Sequence, residues 1–217
     1  MKIRSITYFF NPGWPLEENK FQSAGRFLEE AKSAFETAGY EVQTTRLATV
    51  PFPQLVENRI EETPKLAEDI EKLMPSIGVE YVSLGPAFPN ISGSYETIPE
   101  AIAQTENIFF SGMMADSHNG ISLEAVRACA QVIIKCAPLT PDGFANLRFA
   151  ALANVLPGAP FFPAAYHHGD RPAFALATEA ADLAVEAFKN VKSLNEGRDA
   201  LVEALEAHGK CTGQGRR

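Results

Sequence analysis

The sequence predicts an α/β protein, with a mixed or mostly parallel sheet and helices packed on it. Three observations carry that expectation. Short runs rich in β-branched and aromatic residues alternate with roughly ten- to twenty-residue stretches whose apolar positions recur at helical spacing. Gly and Pro clusters separate the two kinds of segment. The composition, 46% hydrophobic and 21% charged over 217 residues, is that of a globular chain and argues against disorder, a collagen-like fibre or a coiled coil.

The elements follow in order. Ile3 to Phe10 reads as a strand, and Asn11-Pro12-Gly13-Trp14-Pro15 as a turn cluster. Phe21, Ala24, Phe27, Leu28, Ala31, Ala34, Phe35 and Ala38 form the stripe of a helix that Gly39 stops. Tyr40 to Leu47 alternates as a second strand, and Pro51 and Pro53 limit regular structure after it. Thr63-Pro64 opens a helix whose stripe is Leu66, Ile70, Leu73 and Met74. Val79 to Leu84 is a third strand, ending at Gly85-Pro86. Thr97 and Glu100 have capping-box spacing ahead of a short helix, Ile98 to Thr105. Asn107 to Met114 is an apolar strand of the kind buried on both faces. Ser122 caps a helix carrying Val126, Ala130, Ile133, Ile134 and Ala137. Asn146 to Val155 and Ala173 to Ala177 are further strands, and helices near Glu179–Val191 and Glu196–His208 complete the pattern. A single domain over residues 1–208 is expected, with 209–217 a flexible or truncated tail.

Charge and cysteine usage exclude whole classes of function. Net charge is −8, and an acidic chain makes a poor general partner for nucleic acid or anionic lipid. No apolar run approaches the roughly 20 residues that cross a bilayer, and Met1-Lys2-Ile3-Arg4 does not open a signal peptide. Cys129 and Cys136 fall on one face of a helix, roughly 10 Å apart, too far for a disulfide. With Cys211 in a polar tail, the usage suggests a reducing, cytoplasmic setting.

Phosphate-binding loops, dinucleotide fingerprints, nucleophile elbows and C-x-x-C pairs are absent from the sequence, and no cofactor is predicted. Ligands of such sheets sit beyond the carboxyl ends of the strands. That places them at the loops Asn11–Pro15, Gly85–Ser94, Asp116–Gly120 and Pro157–Asp170. His167-His168-Gly169-Asp170 resembles a metal cluster. In extended chain only one of two adjacent histidines faces a given site, so partners such as Asp116 and His118 are needed. Loop histidines bonded to backbone are the plainer reading, and no metal is assigned. Asn146, Arg148 and Asn154 have the even spacing of one strand face. Either that face is solvated, or it lines a polar interior in which the planar fork of Arg148 anchors a carboxylate or phosphate. Ser83, Ser111 and Ser117 have no base paired with them by sequence, and the mid-helix cysteines lack the setting that lowers a thiol pKa. Trp14 reads as a packing plug.

Three segments resemble a known family: Thr7-Tyr8-Phe9-Phe10-Asn11-Pro12-Gly13-Trp14-Pro15, Tyr81-Val82-Ser83-Leu84-Gly85-Pro86-Ala87, and Asn146 to Val155 followed by Pro160-Phe161-Phe162-Pro163-Ala164-Ala165-Tyr166-His167. The family is the one called domain of unknown function 711, an uncharacterised protein family, and the resemblance covers roughly residues 3 to 208. It implies an architecture similar to the glycyl radical enzymes related to pyruvate formate-lyase, a ten-stranded α/β barrel of two half-barrels. This chain would supply about the first half. The family's relatives in that fold use an Arg-Val-x-Gly-Tyr-like loop, which this sequence lacks, so no radical chemistry and no catalytic residue is implied. Members are commonly longer than this chain.

Two functions fit these readings. The first is an enzyme, or the substrate-binding half of one, acting on a small anionic metabolite. Arg148 would orient the anion, Asn146 and Asn154 would bond it, and His167 or Asp116 would move protons. The second is a non-catalytic binding or assembly module. Its open half-barrel would be completed by a second copy or a separate half.

Overall fold

A computed structural model describes residues 2–57 and 59–213, with side chains to residue 209. Nine residues of the first apolar run form β1 (Lys2–Phe10). The turn that follows leads into α1 (Glu18–Thr37), which buries Phe21, Ala24, Gly25 and Leu28 against the sheet. Gly39, at φ +88°, ends it as the sequence predicts. Gly39 N–H donates to the Glu36 carbonyl and Tyr40 N–H to that of Phe35, while the Phe35 and Tyr40 rings meet edge to face at 6.4 Å. The otherwise unpaired carbonyls of the last turn are thereby satisfied.

Next come β2 (Val42–Thr49), a single turn α2 (Phe52–Leu55), α3 (Thr63–Leu73), β3 (Tyr81–Ala87) and α4 (Ile98–Gln104). The capping box expected at Thr97 does not form, because the Thr97 side chain makes no cap hydrogen bond. The fourth strand, β4 (Ile108–Asp116), turns back through a two-residue β5 (Gly120–Ile121) into α5 (Leu123–Cys136). Here the Ser122 hydroxyl does cap, accepting from Ala125 N–H, a contact worth about 1 kcal/mol. The closing elements are β6 (Phe149–Ala153), β7 (Ala173–Glu179), α6 (Ala181–Phe188) and α7 (Leu194–Gly213). Helix α7 runs past His208, whose carbonyl accepts from the Tyr40 hydroxyl. The Cys211 side chain and residues 214–217 lie outside the described residues.

The seven strands make one mixed, mostly parallel sheet. β1, β2, β3, β4 and β6 run parallel in that order, with β7 antiparallel beside β1 and β5 antiparallel at the end of β4. One sheet face packs on the helices. Ile6 and Phe10 of β1, Leu47 of β2, Val82 and Leu84 of β3 and Phe110 of β4 are buried there with Leu66, Ile70 and Ile98. The other face carries Thr7, Phe9, Ala48, Ser83 and Met113, which is why those strands lack a clean polar side. Part of it is covered by the chain between Pro157 and His167. Ala165 packs on Phe9 and Ala48, and Tyr166 on Met113 and Leu152. Ser83 donates its hydroxyl to the Ala165 carbonyl at 2.7 Å, Thr7 to that of Pro160 at 3.4 Å, and Tyr166 to that of Val155 at 2.8 Å. Gly85 permits the close approach of that strap: a Cβ there would stand 3.0 Å from Cβ of Tyr166 and 3.1 Å from Cα of Pro51.

One strand differs from expectation. The run read as a strand from Asn146 to Val155 is β6 over only Phe149–Ala153, preceded by a 3-10 turn, Phe144–Arg148. Gly143 at φ +73° starts that turn, and Asn154 at φ +55° ends the strand. No helix among the described residues is long and apolar enough to cross a membrane.

Candidate functional site

The parallel strands all end on one rim of the sheet, where ligands of α/β sheets gather. There β1 gives way to Asn11, whose side-chain oxygen accepts from Gly13 N–H at 3.0 Å and fixes the turn. Trp14 is pinned beside it. Its indole N–H donates to the Glu62 carboxylate, and Lys65 Nζ lies 5.8 Å from the ring centre. β2 ends at Thr49, and Val50 N–H donates to the Phe10 carbonyl, tying the two strand ends together. The strap crosses at the same level, with His167 N–H donating to the Thr49 carbonyl at 2.8 Å.

Between these pieces lies a cleft of about 380 Å³, into which Asn11, Trp14, Gln54, Glu57, His168 and Asp170 face. It draws on two of the loops picked out by the topology, Asn11–Pro15 and Pro157–Asp170. Glu57 has φ +51°, a backbone conformation that favours glycine. Strain of that kind at a cleft is a common companion of function. Gln54 and Glu57 carry no motif in the sequence; their place right after a parallel strand is the only signal that could have found them.

The adjacent histidines take opposite roles, as their extended chain requires. His168 is exposed at the cleft, and His167 is 5% exposed, with its ring centre 6.4 Å from that of Phe9. The Nε2 atom of His167 is buried without a partner. Burial pushes its pKa below the usual histidine value, and His168 adds to this; Asp170 and the backbone at Gly169 and Arg171 act in the other direction. The unfolded chain therefore binds a proton at a higher pH than the folded one. Stability from this group is complete above the unfolded pKa of about 6.5 and falls as pH drops through it. Unfolding midpoints in urea should decline between about pH 7 and pH 5, and His167→Gln should flatten that decline. An unchanged slope in the variant would remove His167 as its source.

The other candidates are not gathered at this cleft. Arg148 sits at the opposite end of the sheet, just before β6, and is 5% exposed. Its Nη1 donates to the Thr105 carbonyl at 2.6 Å and its Nη2 to the Ile102 carbonyl at 2.7 Å. The guanidinium therefore caps the C-terminus of α4, where unpaired carbonyls favour a cation. The strand face expected of Asn146, Arg148 and Asn154 does not form. The first two lie in a 3-10 turn, and Asn154 is exposed at the far end of β6 with its N–H on the Ala115 carbonyl.

Asp116 ends β4, and its carboxylate accepts from the N–H groups of His118 and Asn119 and from the Asn119 side chain. Those three donors hold its carboxyl below the ordinary aspartate range, the Asn119 bonds counting most. The residue thus closes the β4–β5 turn rather than joining His167. No cluster of three His, Cys, Asp or Glu side chains able to hold a metal occurs among the described residues. Ser83 is occupied by the strap, and Ser111 is fully buried with an unpaired hydroxyl. Cys129 and Cys136 are buried free thiols on the inner face of α5, and burial pushes Cys129 up to about 11. Neither is an activated nucleophile.

The chain is similar to proteins called UPF0210. It is 31% identical over 160 residues to one from Pyrobaculum islandicum, covering 70% of this chain and 35% of that protein. It is 26% identical over 168 residues to one from Methanopyrus kandleri, covering 72% and 37%, and 24% identical over 157 residues to one from Neisseria meningitidis, covering 69% and 35%. The chain thus spans about a third of the length of the curated relatives it matches. The family described as "Uncharacterised ACR (DUF711)" matches residues 1–211, so the chain belongs to that family.

Proposed function

We propose that this chain binds a small polar metabolite in the cleft at the carboxyl ends of β1 and β2. The observation that carries the reading is the convergence of Asn11, Gln54, Glu57, His168 and Asp170 on a cleft of about 380 Å³, a size that suits a small molecule. The exposed carboxylates of Glu57 and Asp170 favour a ligand that presents hydrogen-bond donors or a positive group. The anion expected from Arg148 has no anchor here, because that guanidinium caps α4. His168 lines the same cleft, exposed beside Asp170, and adds ring nitrogens that can hydrogen-bond a ligand.

A second reading, an assembly module completed by another chain, rests on β6. Among the described residues that strand pairs with β4 alone. Leu147 and Leu156, which flank it, are 62% and 71% exposed. An unpaired edge beside apolar side chains is a surface suited to strand addition, by a second copy or by the remaining half of a barrel.

Native mass spectrometry of the full chain, purified without added ligand, distinguishes the two. The metabolite reading expects a monomer carrying a small-molecule mass that is lost in a His168→Ala, Asp170→Ala variant. A ligand-free dimer would favour the assembly reading. Identical spectra for the wild type and the variant would sink the cleft as the binding site.

A further inference from the structure

The strongest unassigned feature lies on the sheet face opposite the helices. Arg46 of β2 stands between two aromatic rings, its guanidinium carbon 5.7 Å from the centre of Tyr81 and 5.1 Å from that of Phe162. Phe109 stacks edge to face on both rings, at 5.5 Å and 5.4 Å, and fixes the clamp. Of the guanidinium donors, Nε is used, donating to the Thr44 hydroxyl at 3.0 Å, and that hydroxyl donates in turn to the Arg4 carbonyl. Among the described residues the Nη nitrogens make no hydrogen bond and no ion pair. The acid that acts on Arg46, Glu80, does so only through its field, and Arg4 opposes it. Burial pushes the guanidinium pKa down, which marks its charge as poorly solvated.

This contrasts with Arg148, whose two Nη groups are both bonded to backbone carbonyls. Two rings hold the Arg46 side chain in place and leave the outer edge of its fork for a partner. That edge matches the two oxygens of a planar carboxylate. The half-buried position, on a face of Ala, Ser and aromatic residues, supplies the partial desolvation that strengthens such a pair.

We propose that Arg46, clamped between Tyr81 and Phe162, is a binding site for a small carboxylate. The site is separate from the rim cleft and does not depend on it. The test follows the Arg46 Nε–H resonance by NMR in the ¹⁵N-labelled full chain. Sodium acetate and sodium succinate are titrated against sodium chloride at matched ionic strength. A saturable shift at Arg46 with either carboxylate, absent with chloride and absent at Arg148, is the expected result. Arg46→Gln should weaken binding, read from Tyr81 and Phe162 ring resonances, by at least about tenfold. Arg46→Lys should weaken it less, since an ammonium keeps the charge but loses the fork. A chloride response equal to that of the carboxylates, or unchanged affinity in Arg46→Gln, overturns the proposal. Should Arg46→Gln fail to fold, the wild-type titration decides alone: an Arg46 resonance unmoved by both acetate and succinate overturns it.

Discussion

Replacing Arg148 by methionine is expected to lower the free energy of unfolding by about 3 kcal/mol and to leave binding at the rim cleft unchanged. Methionine preserves much of the apolar stem, so the loss isolates the guanidinium. What is removed is a pair of short bonds, 2.6 Å to the Thr105 carbonyl and 2.7 Å to the Ile102 carbonyl, plus a longer contact of 3.3 Å to the Thr105 hydroxyl. Those carbonyls lie at the C-terminal end of α4, where a helix leaves carbonyls short of partners; apart from Arg148, the Ile102 carbonyl receives a long 3.4 Å bond from Thr105 N–H. Deleting a buried cation also removes its desolvation cost, which keeps the net loss below the sum of three charge-assisted bonds. Urea denaturation with an unchanged slope measures it. Arg148→Lys should recover only part of the loss, because one ammonium cannot reach both carbonyls in the plane of the fork. A methionine variant as stable as the wild type would mean that the cap contributes nothing. A stable variant with impaired ligand binding would restore the anchor role that the sequence suggested.

Phe110→Ala is expected to cost about 3–5 kcal/mol, by the same measurement. The ring is fully buried at the centre of β4 and meets Phe52 of α2 edge to face, with centroids 5.5 Å apart at 82°. The loss combines transfer of the ring out of water with the cavity left in a face packed by Leu84 of β3 and Ile98 of α4. Phe109 is the neighbouring control. Its ring faces the other side of the sheet, between Tyr81 and Phe162, and is only half buried. Phe109→Ala should cost clearly less. Equal losses at the two positions would contradict the assignment of the faces.

Most of the strand and helix order was legible because its signals are local. The stripe from Phe21 to Ala38 and its glycine stop became α1, with both end bonds in place. Ser122 became a cap because its hydroxyl needs only the N–H three residues on. Thr97 shows the limit of that logic, since identical spacing does not bring its side chain onto the helix end. The segment from Asn146 to Val155 marks a second limit. Period-two spacing suits a strand, but Gly143 starts a 3-10 turn that takes Asn146 and Arg148 out of it.

The candidate site was legible only in outline. Ligand-side loops follow from topology, and two of them do line the cleft. Which side chains meet there depends on the strap from Pro157 to His167, whose path is fixed by long-range bonds to Thr7, Thr49 and Ser83. The roles of the two arginines were likewise closed to the sequence. Arg148 stood out by its polar neighbours, yet its charge serves a helix end more than forty residues away in the chain. Arg46 follows Thr44 and Thr45 in a strand and carries no motif, and its clamp is assembled from Tyr81 and Phe162 on separate segments.

The sequence by itself determined the α/β class, the run of elements and the family, since periodicity, turn residues and caps act over a few positions. Only the tertiary structure decided that Arg148 uses both Nη groups on backbone carbonyls while those of Arg46 make no hydrogen bond among the described residues. A guanidinium's role depends on the carbonyls, rings and water it meets, and those come from parts of the chain that only folding brings together.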